Sequence, residues 1–285
     1  MKILVTGDQG FIAKNLISKL DKNWTVYGID VNDFMVVDDW QSQLIDIVAS
    51  LSPDVIFHVG ACSDTLEQNV NYMMNLNYEA TKILSEYCYM ANCKMIYSSS
   101  AANYGTNGRN PSNLYGWSKY AAEGIVKAMG GIALRYFNVY GPGEEHKDKM
   151  ASVAYQSWLK IQAEKKVILF PKKPTRDFVY VDDIVSANLH ALDNYEQFSG
   201  NHFDVGSGES RSFEEVMQLM QIPYDYTEES IIPSGYQFFT ISNKNEWLPG
   251  WAPLWTIDTG VPAYLEYLKK SKEDSYRVWK GDSQK

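Results

Sequence analysis

The sequence predicts an α/β protein: a doubly wound parallel sheet with a smaller, discontinuous C-terminal α/β lobe. Three observations carry this. Short β-rich apolar runs alternate with helical patterns through most of the first 200 residues, which is the signature of a parallel sheet covered on both faces. A glycine turn, Gly7-Asp8-Gln9-Gly10, falls between the first run and the first helical pattern, the context that gives such a turn meaning. After Gly141-Pro142-Gly143 the alternation breaks, and the second lobe begins. Residues 1–140 and 177–200 are expected to form the core, and 141–176 and 201–285 the lobe.

Taken in order, Lys2–Thr6 is a short apolar strand, followed by a helix over Phe11–Leu20. Thr25–Ile29 is a second strand closed by Asp30, and Phe34–Val37 reads as a short third. Gln41–Ser50 is helical, and Pro53 precedes a buried strand over Val55–Val59. A long helix, Tyr72–Asn92, leads to a strand at Met95–Ser99, then a helix over Tyr115–Met129 and a strand at Ile132–Phe137. Beyond the break, a charged loop (Glu144–Lys149) leads into a helix over Ala151–Glu164, then the strands Val167–Phe170 and Asp177–Val181. Asp182 suits the N-cap of the next helix. The last helix is expected near Val261–Lys270 with Pro262 in its first turn, and the polar tail Glu273–Lys285 is expected to fray.

The glycine turn has the spacing Gly7-x-x-Gly10-x-x-Ala13, which points to a Rossmann-like dinucleotide site. Gly7 permits the tight turn, Gly10 lets amides approach a pyrophosphate, and Ala13 allows close helix–sheet packing. The helix N-terminus then favours the anion. Asp30 lies 20 residues after Gly10 at a strand end, where a carboxylate accepts from the adenosine ribose. No Lys or Arg occurs between Lys22 and Lys82, so nothing there neutralises a 2′-phosphate, and NAD is expected in preference to NADP.

The balance of 26 basic against 35 acidic residues leaves a net charge of −9, which argues against nucleic acid as a partner. Cys62, Cys88 and Cys93 are irregularly spaced and four histidines follow no metal pattern. They read as reduced thiols of a cytoplasmic protein without a metal site. The N-terminal apolar run is too short for a secretion signal, and no run is long enough to span a bilayer.

The stretch Asn113-Leu114-Tyr115-Gly116-Trp117-Ser118-Lys119 puts a tyrosine and a lysine four residues apart at a helix start, hence on one face. An ammonium one turn from a phenol favours phenolate, and such a tyrosine exchanges protons with a hydroxyl. The bland alternative is an aromatic packed under a snorkelling lysine.

Five motifs in order decide between them: Thr6-Gly7-x-x-Gly10-Phe11-Ile12, Tyr97-Ser98-Ser99-Ser100-Ala101-Ala102-Asn103-Tyr104-Gly105, Tyr115-x-x-x-Lys119, Arg135-Tyr136-Phe137-Asn138-Val139-Tyr140-Gly141-Pro142 and Arg176-Asp177-Phe178-Val179-Tyr180-Val181. Together they resemble the extended short-chain dehydrogenase/reductase family acting on nucleotide sugars, with its NAD-dependent epimerases and dehydratases. Two further stretches, His58-Val59-Gly60-Ala61-Cys62-Ser63 with Tyr72-Met73-Met74 and Gly141-Pro142-Gly143-Glu144-Glu145-His146-Lys147-x-x-Met150-Ala151-Ser152-Val153-Ala154, are most similar to its heptose 6-epimerase branch.

The resemblance implies a nucleotide-sugar epimerase that transiently oxidises a sugar hydroxyl. Tyr115 is then the acid/base, Lys119 binds the nicotinamide ribose and lowers the Tyr115 pKa, and Ser100 holds the reacting oxygen. Lys147 is implied as a second acid/base, against the reading of a solvated loop lysine. Phe11, Ile12, Ala61, Cys62, Ser63 and Val139 are implied to line the cofactor. Asn77 is either a buried kink residue of the long helix or a cofactor neighbour. Asn138, Lys149, Phe170, Lys172, Arg176 and Tyr236 are implied on the substrate side, Arg176 for the phosphates.

Related 4,6-dehydratases carry an Asp-Glu pair where this chain has Ala101 and Ala102, which disfavours dehydration. Lys149 replaces a serine and Gln156 a histidine of the heptose branch, and the connection from Tyr104 to Tyr115 is shorter. The alternatives are another NAD(P)-dependent nucleotide-sugar epimerase or reductase, and a silent dinucleotide-binding protein. A homo-oligomer through a helix bundle is expected by the same resemblance.

Overall fold

The computed structural model describes residues 1–35, 37–106, 108–232 and 236–282, with only the backbone of Asp148 and of residues 273–282 described. In chain order the elements are β1 (Lys2–Thr6), α1 (Phe11–Lys19), β2 (Thr25–Ile29), α2 (Val31–Phe34), α3 (Trp40–Leu51), β3 (Val55–His58), α4 (Val70–Met74), α5 (Ala80–Ala91), β4 (Lys94–Ser100), α6 (Leu114–Ala128), β5 (Ile132–Tyr136) and β6 (Asn138–Tyr140). They continue as α7 (Val153–Gln162), β7 (Val167–Leu169), β8 (Thr175–Tyr180), α8 (Val181–Asp193), α9 (Tyr195–Phe198), β9 (His202–Val205), β10 (Ser210–Ser212), α10 (Phe213–Met220), β11 (Tyr224–Tyr226) and α11 (Ile257–Asp282).

Successive strand residues point to opposite faces, and here both faces are apolar. Ile3 and Val5 pack with Leu16 of α1 and Ile184, Ala187 and Ala191 of α8. Leu4, between them, packs with Leu44 and Val48 of α3, Leu84 of α5 and Val126 of α6. A strand buried on both sides belongs inside a parallel sheet, and the order is β2-β1-β3-β4-β5-β9 with every neighbouring pair parallel. The connection reverses direction between β1 and β3, so a crevice opens at the carboxyl ends of those strands.

A second core joins Tyr140, Ala154, Leu169, Phe178, Met217 and Tyr264 across α7, β7, β8, α10 and α11. Two small sheets, β10-β8-β6 and β11-β7, accompany it. The segment 201–285, expected wholly in this lobe, instead returns β9 to the large sheet beside β5.

Several local expectations are corrected. Residues 31–34 form α2 and not a strand, because Asp30 and Asp33 make a reciprocal capping box that satisfies two amide donors at the start of a helical turn. The expected third strand therefore does not form at Phe34, and Val36 lies outside the described residues. Tyr180, not Asp182, is the N-cap of α8. Asp183 in its first turn accepts from Leu254 N at 2.9 Å and Trp255 N at 3.0 Å. Pro262 lies inside α11, which starts at Ile257 and continues to Asp282 through the tail expected to fray. The charged loop after Glu144 is a 3₁₀ turn over Glu145–Met150.

Candidate active site

The crevice is a cavity of about 710 Å³ lined by Gly7, Gly10, Phe11, Ile12, Asp30, Ala61, Cys62, Ser63, Ser100, Tyr115, Lys119, Asn138, Val139 and Lys147, among others. Fourteen residues expected at the site from sequence thus reach one space.

At its floor the glycines are there for close approach. Gly7 has φ +65°, and a Cβ on it would lie 2.5 Å from Gly60 Cα. A Cβ on Gly10 would lie 2.9 Å from Gly7 O. Gly10 caps α1 without any side-chain hydrogen bond, so the first amides of α1 remain available to an anion. Asp30 lines the cavity edge, with Oδ1 accepting from Val31 N at 2.7 Å.

Beneath this floor runs a buried chain whose tautomer follows from its donors. Thr81 Oγ1 donates to Asn77 O at 2.8 Å, so it accepts from His58 Nε2, also at 2.8 Å. His58 Nδ1 then accepts from Thr6 Oγ1 at 2.7 Å, and that oxygen accepts from Gly60 N at 3.0 Å. Burial, followed by the Lys119 charge, lowers the imidazole to about 3. His58 is a neutral strut tying β1 to β3, with both ring nitrogens engaged by threonine hydroxyls.

Asn77 resolves as the kink residue and does not line the cavity. It sits in a π-helical turn over Asn75–Glu79, a feature that recurs at functional sites. Its Oδ1 accepts from Cys62 N at 2.8 Å. Its Nδ2 donates to Cys62 O and to Ser118 Oγ, both at 3.0 Å. Asn77 therefore braces the Cys62 loop against α6.

α6 begins at Leu114 because Asn113 Oδ1 accepts from Gly116 N at 2.8 Å, a side-chain N-cap. A Cβ on Gly116 would lie 2.7 Å from Ala102 O, so glycine lets the helix start press against the turn after β4. That contact sets the Ser100 hydroxyl beside the Tyr115 phenol, whose charged form it favours. Lys119 is buried, with Nζ 4.4 Å from the Tyr97 ring centroid.

The expected lowering of the Tyr115 phenol by Lys119 is not found in the protein alone. Burial pushes that phenol up, and the Ser100 hydrogen bond only partly opposes it. The larger effect falls on the lysine: burial lowers Lys119 to about 7, opposed by Glu123. The strength of the desolvation exceeds the tuning that spacing alone suggests.

Lys147 is half-buried on the 3₁₀ turn, Nζ 5.4 Å from the Phe11 ring centroid. Burial lowers its ammonium and Glu144 raises it. Glu144 is fully buried and accepts from Ser152 N and Ser152 Oγ, each at 2.6 Å, which caps α7 and fixes the turn.

The other substrate-side residues stand apart from this cavity. Arg176 is buried between aromatic rings, 5.5 Å from the Phe213 centroid and 5.3 Å from that of Tyr236. Phe170 packs edge-on against Tyr236 at 4.9 Å; Gly235, before it, lies outside the described residues. Lys172 is exposed and pairs with Glu229 at 2.8 Å, so its charge is answered within the protein. Lys149 is exposed. Gln156 donates from Nε2 to Lys149 O at 2.8 Å and Ala151 O at 2.7 Å and is spent on backbone.

Sequence reasoning missed Glu123 and Glu144. Glu123 extends the Tyr115–Lys119 spacing by another four residues, a signal that was available. Glu144 offered none, because its role depends on a hydrogen bond to a residue eight positions away.

The comparisons with known proteins agree with this geometry. The profile of the NAD dependent epimerase/dehydratase family matches residues 3–206. An ADP-L-glycero-D-manno-heptose-6-epimerase of Cupriavidus pinatubonensis is 36% identical, across 94% of this chain and 98% of that one. One of Brachyspira hyodysenteriae is 31% identical, with the same coverage of 94% and 98%. The solved Helicobacter pylori ADP-L-glycero-D-manno-heptose-6-epimerase superposes with a TM-score of 0.78 at 28% identity, across 94% of this chain and 96% of that one. The fold, the assembled cavity and these matches lead to one conclusion: the chain belongs to the NAD-dependent epimerase/dehydratase family.

Proposed function

We propose that the protein is a nucleotide-sugar epimerase acting on an ADP-heptose by transient oxidation of a sugar hydroxyl. The observation that carries this reading is one cavity holding Tyr115, Ser100 and Lys119 together with Lys147 from a separate segment. The names of the relatives supply the heptose.

Gly7, Gly10 and Gly60 let the turn after β1 and the segment after β3 approach closer than any Cβ would allow, and with Asp30 they line the cavity at the uncapped N-terminus of α1, which fits a nicotinamide dinucleotide with Asp30 at its ribose. Such a cofactor supplies reversible hydride transfer. Tyr115 Oη takes the sugar hydroxyl proton and later returns it, while Ser100 Oγ holds the same oxygen. Tyr115 does so as a phenolate, which the positive charge of Lys119 stabilises before the proton is taken and again after it is returned. Epimerisation returns the hydride to the opposite face of the ketone, so Lys147 Nζ supplies a second proton donor. Ala101 and Ala102 have no proton to give, which leaves dehydration without an acid. Arg176, with no carboxylate partner among the described ion pairs, suits the substrate diphosphate.

In this reading the large-sheet core, β9 included, binds the cofactor and the second lobe binds the substrate. α5 and α6 expose Tyr89, Met90, Trp117 and Tyr120, which supports a homo-oligomer. Three free thiols support a reducing, cytoplasmic setting. Among the described residues no helix is long and apolar enough to cross a membrane.

The test is incubation with each C6 epimer of the ADP-heptose, with stereochemistry followed by NMR. Both epimers should converge on one mixture. Conversion of a UDP-hexose with both ADP-heptoses untouched would replace the heptose by a hexose substrate.

The same reading takes NAD as the cofactor. Asp8, Asp30 and Asp33 are acidic, and no Lys or Arg occurs from residue 23 to 81. Fluorescence titration should give tighter binding of NAD than of NADP by about tenfold or more. Equal or tighter NADP binding sinks this claim.

A further inference from the structure

Tyr115, Lys119 and Glu123 stand four residues apart on one face of α6, and the proposed chemistry uses only the first two. Glu123 is 3% exposed. Its Oε2 accepts from Ser99 Oγ at 2.6 Å, Asn103 Nδ2 at 2.8 Å and Arg135 Nε at 2.9 Å. Its Oε1 accepts from Arg135 Nη2 at 2.6 Å. One carboxylate thus ties the helix that carries Tyr115 to the residue before Ser100, and to the turn after it.

The same carboxylate lies one turn along the buried face of α6 from Lys119, and its charge favours the ammonium. The groups facing that ammonium are Tyr115 and Glu123 on its own helix, Tyr97 on β4 and His58 on β3. His58 is neutral and the two tyrosines are protonated, both raised by burial. Glu123 is the anion of the set. An ammonium buried among neutral groups sheds its proton unless an anion holds it. Arg135, the partner of Glu123, lies on β5 against the Tyr104 ring at 4.8 Å.

We propose that Glu123 is a positioning residue, whose carboxylate keeps Lys119 protonated and holds Ser100 within reach of Tyr115. The proposal rests on the reading of Tyr115, Lys119 and Ser100 as the proton-handling set.

Glu123→Gln keeps the shape and an acceptor for Ser99 and Asn103 but removes the charge. Because it strands the Arg135 guanidinium, the double variant Glu123→Gln/Arg135→Met is measured beside it. The readouts are kcat and NAD affinity, by fluorescence, as functions of pH. The expected result in each folded variant is a downward shift of the alkaline limb of both profiles by about one pH unit. At about pH 8 the losses should then exceed those at about pH 6 by about fivefold. Glu123→Asp should restore part of the shift. A folded double variant with the wild-type limb overturns the proposal, since a merely structural role moves stability and not the limb. In the wild-type protein, nitrogen NMR should show Lys119 Nζ as an ammonium at about pH 6; a neutral amine there overturns it without any variant. Tyr115→Phe tests the underlying reading separately: wild-type turnover in that variant removes the proton-handling set whatever Glu123 does.

Discussion

Tyr115→Phe is expected to lower kcat by about 10³-fold, within the range that positioned acid–base groups supply, while cofactor affinity stays largely unchanged. The substitution removes one oxygen and keeps the ring. Ser100 Oγ is not stranded, because it still accepts from Ala102 N at 3.1 Å. The cradle of Gly7, Gly10 and Asp30 is untouched, and α6 keeps its Asn113 cap. Single-turnover kinetics on the ADP-heptose and a parallel NAD titration separate the two effects. Turnover within about tenfold of wild type would remove Tyr115 from the chemistry, because one lost proton donor of this kind costs more than that. The sign of the pH response follows from the direction of the shift. Burial raises the phenol, so in the resting protein Tyr115 is protonated at neutral pH. In the proposed chemistry its deprotonation draws on the positive charge of Lys119, an ammonium that burial lowers to about 7. Wild-type activity should therefore fall as pH rises through the Lys119 transition, and Tyr115→Phe should lose that limb together with its turnover.

Those two directions explain what the sequence could and could not reveal. Spacing placed Tyr115 and Lys119 on one helix face, and the structure has them there, since a helical repeat is a local property. The sign of the electrostatics was not local. It came from Tyr97 beneath Lys119, a neutral His58, and a cavity wall assembled from β1, β3 and β4. The large sheet was legible for a similar reason: Leu4 and its neighbours Ile3 and Val5 are apolar on both faces, which only a covered parallel strand needs. At α2 a capping box between Asp30 and Asp33 outweighed the β-rich run Phe34–Val37 that had suggested a strand. The π turn at Asn75–Glu79 read as plain helix, because its cause is tertiary. Asn77 gains hydrogen bonds to the Cys62 loop and Ser118 that no regular helical register explains. Glu144 was silent until Ser152 came to it. The substrate side was the least legible: Lys172 reads as an anion-binding charge until Glu229 is seen to answer it.

Lys147→Ala is expected to lower the rate of epimerisation by about 10²-fold or more while leaving the first oxidation of the sugar measurable. Its Nζ lies in the same cavity as Tyr115 but on a turn fixed independently, through Glu144 and Ser152. Removing it therefore leaves Tyr115, Ser100 and Lys119 in place. Glu144 keeps both Ser152 hydrogen bonds, so α7 remains capped and the variant should fold. With Tyr115 intact, adding substrate should still produce the absorbance of a reduced nicotinamide, but product of inverted configuration should accumulate slowly by NMR. The contrast with Tyr115→Phe is the point of the pair: one variant fails before oxidation and the other after it. A single proton donor can serve both faces of a ketone only if the sugar turns over inside the cavity, whereas two donors let it stay. Wild-type epimerisation by the Lys147→Ala variant would make the sugar turn and leave Tyr115 as the one acid/base. Lys147, lowered by burial and raised by Glu144, would then be a charge at the cavity wall and not a proton donor.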